Sequence, residues 1–96
     1  MIILIARLTA KDGELDILRA RTLEMADAVS ANEPGNTQYL VTEGAEANQI
    51  VIIEGYEDEA ALDAHRQSEH FRVIGKTIGP ALAAPPEIVF RLKASA

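Results

Sequence analysis

The run Gln49-Ile50-Val51-Ile52-Ile53-Glu54-Gly55-Tyr56-Glu57-Asp58-Glu59-Ala60-Ala61-Leu62-Asp63-Ala64-His65-Arg66-Gln67-Ser68-Glu69-His70-Phe71 decides how this chain is read. Ile50 to Tyr56 is β-branched and apolar near its middle on both faces, which predicts a buried strand. Glu57-Asp58 then supplies a polar turn, and Asp58 is suited to cap a helix from Glu59 to about Arg66. Ser68 reads as a fresh N-cap, so the helical region should bend there and continue through Phe71, Ile74 and Ile78. Both histidines of the chain fall in this span, with Tyr56 just ahead of the helix. A strand end, an aromatic and a histidine so close together are suited to a small-molecule pocket.

Outward from that run, the remaining elements follow. Ile2 to Leu8 predicts a first strand, with Ile3 and Ile5 on one face and Ile2, Leu4, Ala6 and Leu8 on the other. Asp12 is a candidate cap for a helix carrying Leu15, Leu18, Met25, Ala26 and Val29 on one stripe, stopping near Asn32 ahead of Pro34-Gly35. Thr37 to Thr42 predicts a second strand, with Tyr39 and Val41 on one side. Residues 43–48 form a polar connection. Gly79-Pro80 ends the last helix, and Glu87 to Leu92 predicts a fourth strand with Ile88, Phe90 and Leu92 on one side.

The order is β-α-β-β-α-β with the second α split, an α+β, ferredoxin-like arrangement in one domain over 1–96, residues 93–96 being a short tail. Right-handed crossovers place the helices on one face of a four-stranded antiparallel sheet. The opposite face would then expose several Ile, Leu and Val side chains, more than a monomer normally tolerates. A homodimer through the helix-free sheet face is the expected remedy.

Composition narrows the function. The net charge is -6, and the nine Lys and Arg residues are scattered singly, so no run tracks a phosphate backbone and no nucleic-acid partner is expected. There is no cysteine, which removes disulfides, thiolate ligands and a cysteine nucleophile. The apolar Ile2–Ile5 stretch is too short for a signal-peptide core or a membrane span, so a soluble, cytoplasmic protein without membrane contact is expected. No Gly-rich phosphate loop, nucleophile elbow or dinucleotide fingerprint is present.

His65 is the candidate catalytic group, because histidine is the residue type that ordinarily exchanges protons near neutrality. The bland alternative is a buried histidine bonded to a backbone carbonyl. Tyr39, Tyr56, His70 and Phe71 are candidate substrate contacts, although tyrosines packed in the sheet and a phenylalanine in the core would explain the aromatic residues equally well. Phe90 is expected in the core. Arg66 and Arg72 could neutralise an anionic substrate, but solvated helix faces usually carry such charges, and the sequence supplies no obvious convergence of basic side chains. Glu54 is expected either to pair with an arginine across a dimer or to meet water at a strand edge. The histidines are five apart across a helix break and no carboxylate sits at ligand spacing, so no metal is expected.

Glu33-Pro34-Gly35 before the Tyr39 strand, Glu54-Gly55-Tyr56 closing the third strand, and His65-x-x-Ser68-x-His70-Phe71 resemble, in their order and spacing, the antibiotic biosynthesis monooxygenase (ABM) family. The resemblance implies a dimeric α/β barrel with a pocket between helices and sheet in each subunit. It further implies cofactor-independent oxidation of a small quinol-like, polyphenolic or polyketide aromatic substrate by O2. Other members degrade haem or rearrange small carbonyl signals. Haem degradation is disfavoured here, because that branch uses an Asn in strand one and a pocket Trp, and this chain has neither. Tyr56 stands where the family often has Trp. The competing expectation is a non-catalytic dimeric barrel that binds a small aromatic or apolar metabolite, or a stress or accessory protein.

Overall fold

A computed structural model describes residues 1–95. Its elements are β1 (Ile2–Thr9), α1 (Leu15–Asn32), β2 (Asn36–Glu43), β3 (Gln49–Tyr56), α2 (Glu59–Gln67), α3 (Glu69–Ile78), a short 3-10 turn at Gly79–Ala81, and β4 (Glu87–Lys93). The strands form one antiparallel sheet in the order β2-β3-β1-β4. This is the ferredoxin-like β-α-β-β-α-β fold. Lys93 belongs to β4 rather than to the tail.

Alternation along β1 sets the layers. Ile2, Leu4, Ala6 and Leu8 are buried under the helices, where Leu18, Met25 and Val29 of α1, Ile50 and Ile52 of β3, and Ile74 and Ile78 of α3 join Ala6 and Leu8 in the main core cluster. A second cluster of Ile2, Leu4, Tyr56 and Leu62 seats α2. Leu18, Val29, Ile50 and Leu62 are wholly enclosed, and each contributes about 1.5–3 kcal/mol by leaving water.

The opposite face carries an apolar row. Pairing sets Leu40, Ile53, Ile5 and Phe90 side by side across all four strands, with Ile3 beside Leu92. Leu40, Phe90 and Leu92 are about half exposed in the single chain. The core position expected for Phe90 is therefore overturned. So is the single-sided alternation of β4: a bulge opposite Ile5/Ala6 absorbs Val89 and turns Ile88 to the helix side, whereas Phe90 and Leu92 stay on the open face.

Of the three caps expected, two are present and one is not. Asp58 caps α2 through Oδ1, accepting from Ala61 N at 2.8 Å, and Ser68 caps α3 through its hydroxyl, accepting from Phe71 N at 3.2 Å. Asp12 does not cap α1. The helix starts at Leu15 after Glu14, and Asp12 instead accepts from Asn48 Nδ2 at 3.1 Å, which pins the β2–β3 loop to the β1–α1 loop.

Candidate active site

A cavity of about 550 Å³ lies between the helices and the sheet. Its walls are mostly apolar, including Leu4, Ala6 and Ile52 from the sheet and Met25 and Leu62 from the helices. Polar atoms enter it from Tyr39, Glu54 and His65, and the exposed Arg66, Arg72 and Lys76 stand at its edge. Along α3 and into the 3-10 turn that follows it, the lining positions Arg72, Gly75, Lys76 and Gly79 recur at helical spacing. Open space lies where side chains would begin at Gly75 and Gly79.

His65 is 3% exposed and is held by what packs around it. Its Nδ1 lies 2.8 Å from Oε2 of Glu33, and Nε2 of His70 approaches the same oxygen. One carboxylate oxygen facing two ring nitrogens requires each of them to carry a proton as donor. His65 is thereby fixed as the Nδ1–H tautomer whenever it is neutral, with the lone pair on Nε2. That nitrogen lies on the side of Glu54, 3.9 Å from its Oε1, and Glu54 lines the cavity.

Local structure explains each position. Glu33 is the C-cap residue of α1, and its extended backbone (φ -118, ψ 90) leaves the helix so that the side chain turns inward, only 7% exposed. The chain then passes so close to α2 that a Cβ on Gly35 would fall 2.6 Å from the Ala61 methyl, so only glycine fits there. Ser68 ends α2 in an extended conformation (φ -70, ψ 152) while starting α3, and its hydroxyl also donates to the His65 carbonyl at 2.6 Å. The break at Ser68 lets two histidines five apart converge on one acceptor.

Glu54 is buried rather than at a wet strand edge, and no arginine of its own chain forms an ion pair with it among the described residues. It accepts a hydrogen bond from the Tyr56 hydroxyl at 2.6 Å. Burial pushes its carboxyl above the usual carboxylate range, against the opposing pull of the Tyr56 hydrogen bond. Burial also drives both tyrosines strongly upward, reinforced for each by the Glu54 charge. Tyr39 and Tyr56 are thus phenols, not phenolates, at neutral pH.

Of the expected substrate contacts, Tyr39 and Phe71 line the cavity, and the Phe71 ring meets the His65 ring nearly edge-on at 5.0 Å between centroids. Phe71 is 41% exposed, so its alternative place in the core is excluded. Tyr56 and His70 do not line the cavity. Tyr56 is fully enclosed, its ring tilted at 42° to that of His65 with centroids 5.3 Å apart, and it reaches the site through Glu54. His70 lies behind His65, on Glu33. Glu33 itself escaped sequence reasoning; the one signal was its place in Glu33-Pro34-Gly35 ahead of β2.

Glu33, His65 and His70 also offer three ligand atoms within 4.8 Å of one another, and Oε1 of Glu33 is buried without a partner. Two imidazoles and a carboxylate suit Zn²⁺ or another borderline divalent ion. The ligand spacing that sequence reasoning found wanting is supplied by the fold.

Comparison with known proteins gives the same architecture. A candidate antibiotic biosynthesis monooxygenase from Caulobacter crescentus is 29% identical and superposes with a TM-score of 0.93, over 99% of this chain and 90% of that one. Rv0793 from Mycobacterium tuberculosis is 27% identical with a TM-score of 0.87, over 99% and 95%. A candidate antibiotic biosynthesis monooxygenase from Nitrosomonas europaea, 21% identical with a TM-score of 0.89 over the full length of both chains, shares the fold. No curated protein matches the chain. The family model for antibiotic biosynthesis monooxygenases matches residues 1–77, a span that includes Glu33, Tyr39, Glu54, His65 and His70. The chain belongs to the antibiotic biosynthesis monooxygenase family.

Proposed function

We propose that the protein is a cofactor-independent monooxygenase that oxidises a small quinol-like or polyphenolic aromatic substrate with O2, His65 being the general base. The observation that carries this reading is the His65 ring, anchored by Nδ1 on Glu33 while Nε2 makes no hydrogen bond and lies 3.9 Å from Glu54 Oε1 beside an apolar cavity. Nε2 takes a proton from a phenol or from an acidic C–H flanked by aromatic rings. Glu33 stabilises the imidazolium that results. The substrate anion is electron-rich enough to pass an electron to O2, and recombination forms a carbon–peroxide bond. The imidazolium returns its proton to the peroxide. Elimination of water then leaves a carbonyl at the oxidised carbon. In sum, the substrate supplies four electrons, one oxygen atom stays in the product, and the other leaves as water.

The cavity volume falls in the range of sites for drug-sized molecules, and its apolar wall matches a fused aromatic body. Tyr39 supplies a phenol to a substrate oxygen. The apolar row Leu40-Ile53-Ile5-Phe90 supports a homodimer formed sheet to sheet, which leaves the cavity, on the helix side, accessible. The test is oxygen uptake with hydroquinones and anthrones on metal-free protein. Uptake that is lost in His65→Gln supports the reading, and equal uptake in the variant removes His65 from the chemistry.

A second reading is a dimeric barrel that retains an apolar metabolite without turning it over. The scarcity of polar groups on the cavity wall favours it. Retention of an aromatic ligand over hours with no product would establish it against the first.

A further inference from the structure

The nine lysines and arginines divide unevenly. Arg7, Arg19, Arg21 and Arg91 each pair with a carboxylate. Among the described residues the other five make no such ion pair, and three of those five, Arg66, Arg72 and Lys76, line the one cavity that holds His65. In a chain of net charge -6, unpaired cations gathered on a single cavity call for an explanation.

A solvated helix face would scatter both signs over its exposed side. Here α3 turns both of its cations to the cavity, at Arg72 and Lys76, and its one carboxylate, Glu69, does not line it. Arg66 joins them from the last turn of α2. Among the described residues the only carboxylate on the cavity wall is that of Glu54, which is enclosed and biased toward its neutral form. His65 and Glu54 belong to the inner wall, whereas the three cations are exposed. The convergence of basic side chains that the sequence did not disclose is therefore present at the edge of the site.

We propose that the substrate carries an anionic group, a carboxylate on its aromatic body, which docks between Arg66, Arg72 and Lys76 while the oxidisable ring enters toward His65. This rests on the cavity being the substrate site. The inner wall sets what is oxidised, and the cationic edge sets which way round the substrate enters. Arginine offers a carboxylate two parallel N–H donors, so Arg66 and Arg72 add orientation as well as charge. Exposure makes the effect sensitive to salt.

Binding rather than turnover tests it. Dissociation constants are measured by calorimetry for 1-hydroxy-2-naphthoate and for 1-naphthol, which differ only by the carboxylate. At low ionic strength the carboxylate is expected to bind about tenfold more tightly. The preference should shrink toward unity in 0.5 M salt and in the double variant Arg72→Gln/Lys76→Gln, with the affinity for 1-naphthol unchanged. Lys11→Gln, which removes an unpaired cation away from the cavity, should keep the full preference. Equal affinities in the wild type, a preference that survives the double variant, or binding of neither arene would each overturn the proposal. Preferential binding of the carboxylate without oxygen uptake by any quinol would sink the monooxygenase reading and leave the docking of an anionic arene at Arg66, Arg72 and Lys76 standing.

Discussion

Nδ1 of His65 lies 2.8 Å from Oε2 of Glu33, a residue 32 positions earlier that closes the first helix. The pair lies almost entirely out of water, with side chains 4% and 7% exposed. A carboxylate so placed selects the ring tautomer and steadies the charge that the ring gains on taking a proton. Replacing His65 with Gln should lower turnover by about 10²–10⁴-fold, the usual contribution of a positioned base. Glu33→Gln should fall between that variant and the wild type, with a changed dependence of kcat on pH. Steady-state oxygen uptake from pH 5 to 9 checks both. A pH profile unaltered in Glu33→Gln would deny the carboxylate any part in holding the proton.

Glu54 provides a stability test with a definite sign. Burial raises its folded-state pKa, so the protonated carboxyl is the form the fold prefers. Its stabilising contribution is complete below the ordinary glutamate value, about 4.3, and is lost as pH rises through the raised folded value. Glu54→Gln lacks this loss. Its melting temperature relative to the wild type should therefore climb as pH increases from about 4.3 toward neutrality. Paired thermal scans across that interval measure the difference, and a difference that stays constant would contradict the assignment.

Zinc should compete with the proton. A divalent ion held by Glu33, His65 and His70 takes the Nδ1 lone pair of His65 and the carboxylate that steadies the ring, and leaves Nε2 protonated. Dialysis against a chelator should leave oxygen uptake unchanged, and added Zn²⁺ should inhibit it. Inhibition should weaken in His70→Ala by about tenfold or more, as expected when one of three ligands is lost. Loss of activity on chelation would instead make the ion a working part of the site.

The sheet-to-sheet homodimer is checked by Phe90→Glu, which sets a charge in the middle of the apolar row. Light scattering at micromolar concentration should give a dimer mass for the wild type and a monomer mass for the variant. A monomeric wild type would end the proposal.

Ser68 should matter twice. Its hydroxyl accepts from Phe71 N and donates to the His65 carbonyl, so Ser68→Ala removes a helix cap worth about 1 kcal/mol and loosens the angle between the two histidines. Urea unfolding should record the first effect. A fall in kcat larger than the stability loss accounts for should record the second.

Periodicity made the architecture legible. Alternation in β1, the double-faced apolar β3, the caps at Asp58 and Ser68 and the Gly79-Pro80 stop each carry their own local physics, and each leads to the right element. What failed were features decided by pairing between distant segments. The bulge at Val89 exists only against β1, and no alternation rule within β4 announces it. Asp12 looked like a cap because the competing donor, Asn48, lies 36 residues away. The site divided in the same manner. His65 was visible from its neighbours, whereas Glu33 was invisible as a partner because only the folded chain brings α1 to the break between α2 and α3. The same holds for Arg66 and Arg72, whose charges read as ordinary surface until Lys76 and the cavity wall set them on one side.

Gly75 of α3 and Gly79, which opens the 3-10 turn after it, leave part of the cavity wall without side chains, and the space beside them is open. That stretch of wall behaves as an adjustable gauge. A methyl group at either position would enter open space, with no heavy atom of Glu33, His65 or Glu54 within 4 Å of it. The range of molecules admitted can thus change by single substitutions while the Glu33–His65 pair stays as it is. A pocket built this way separates what it can accept from what it can do.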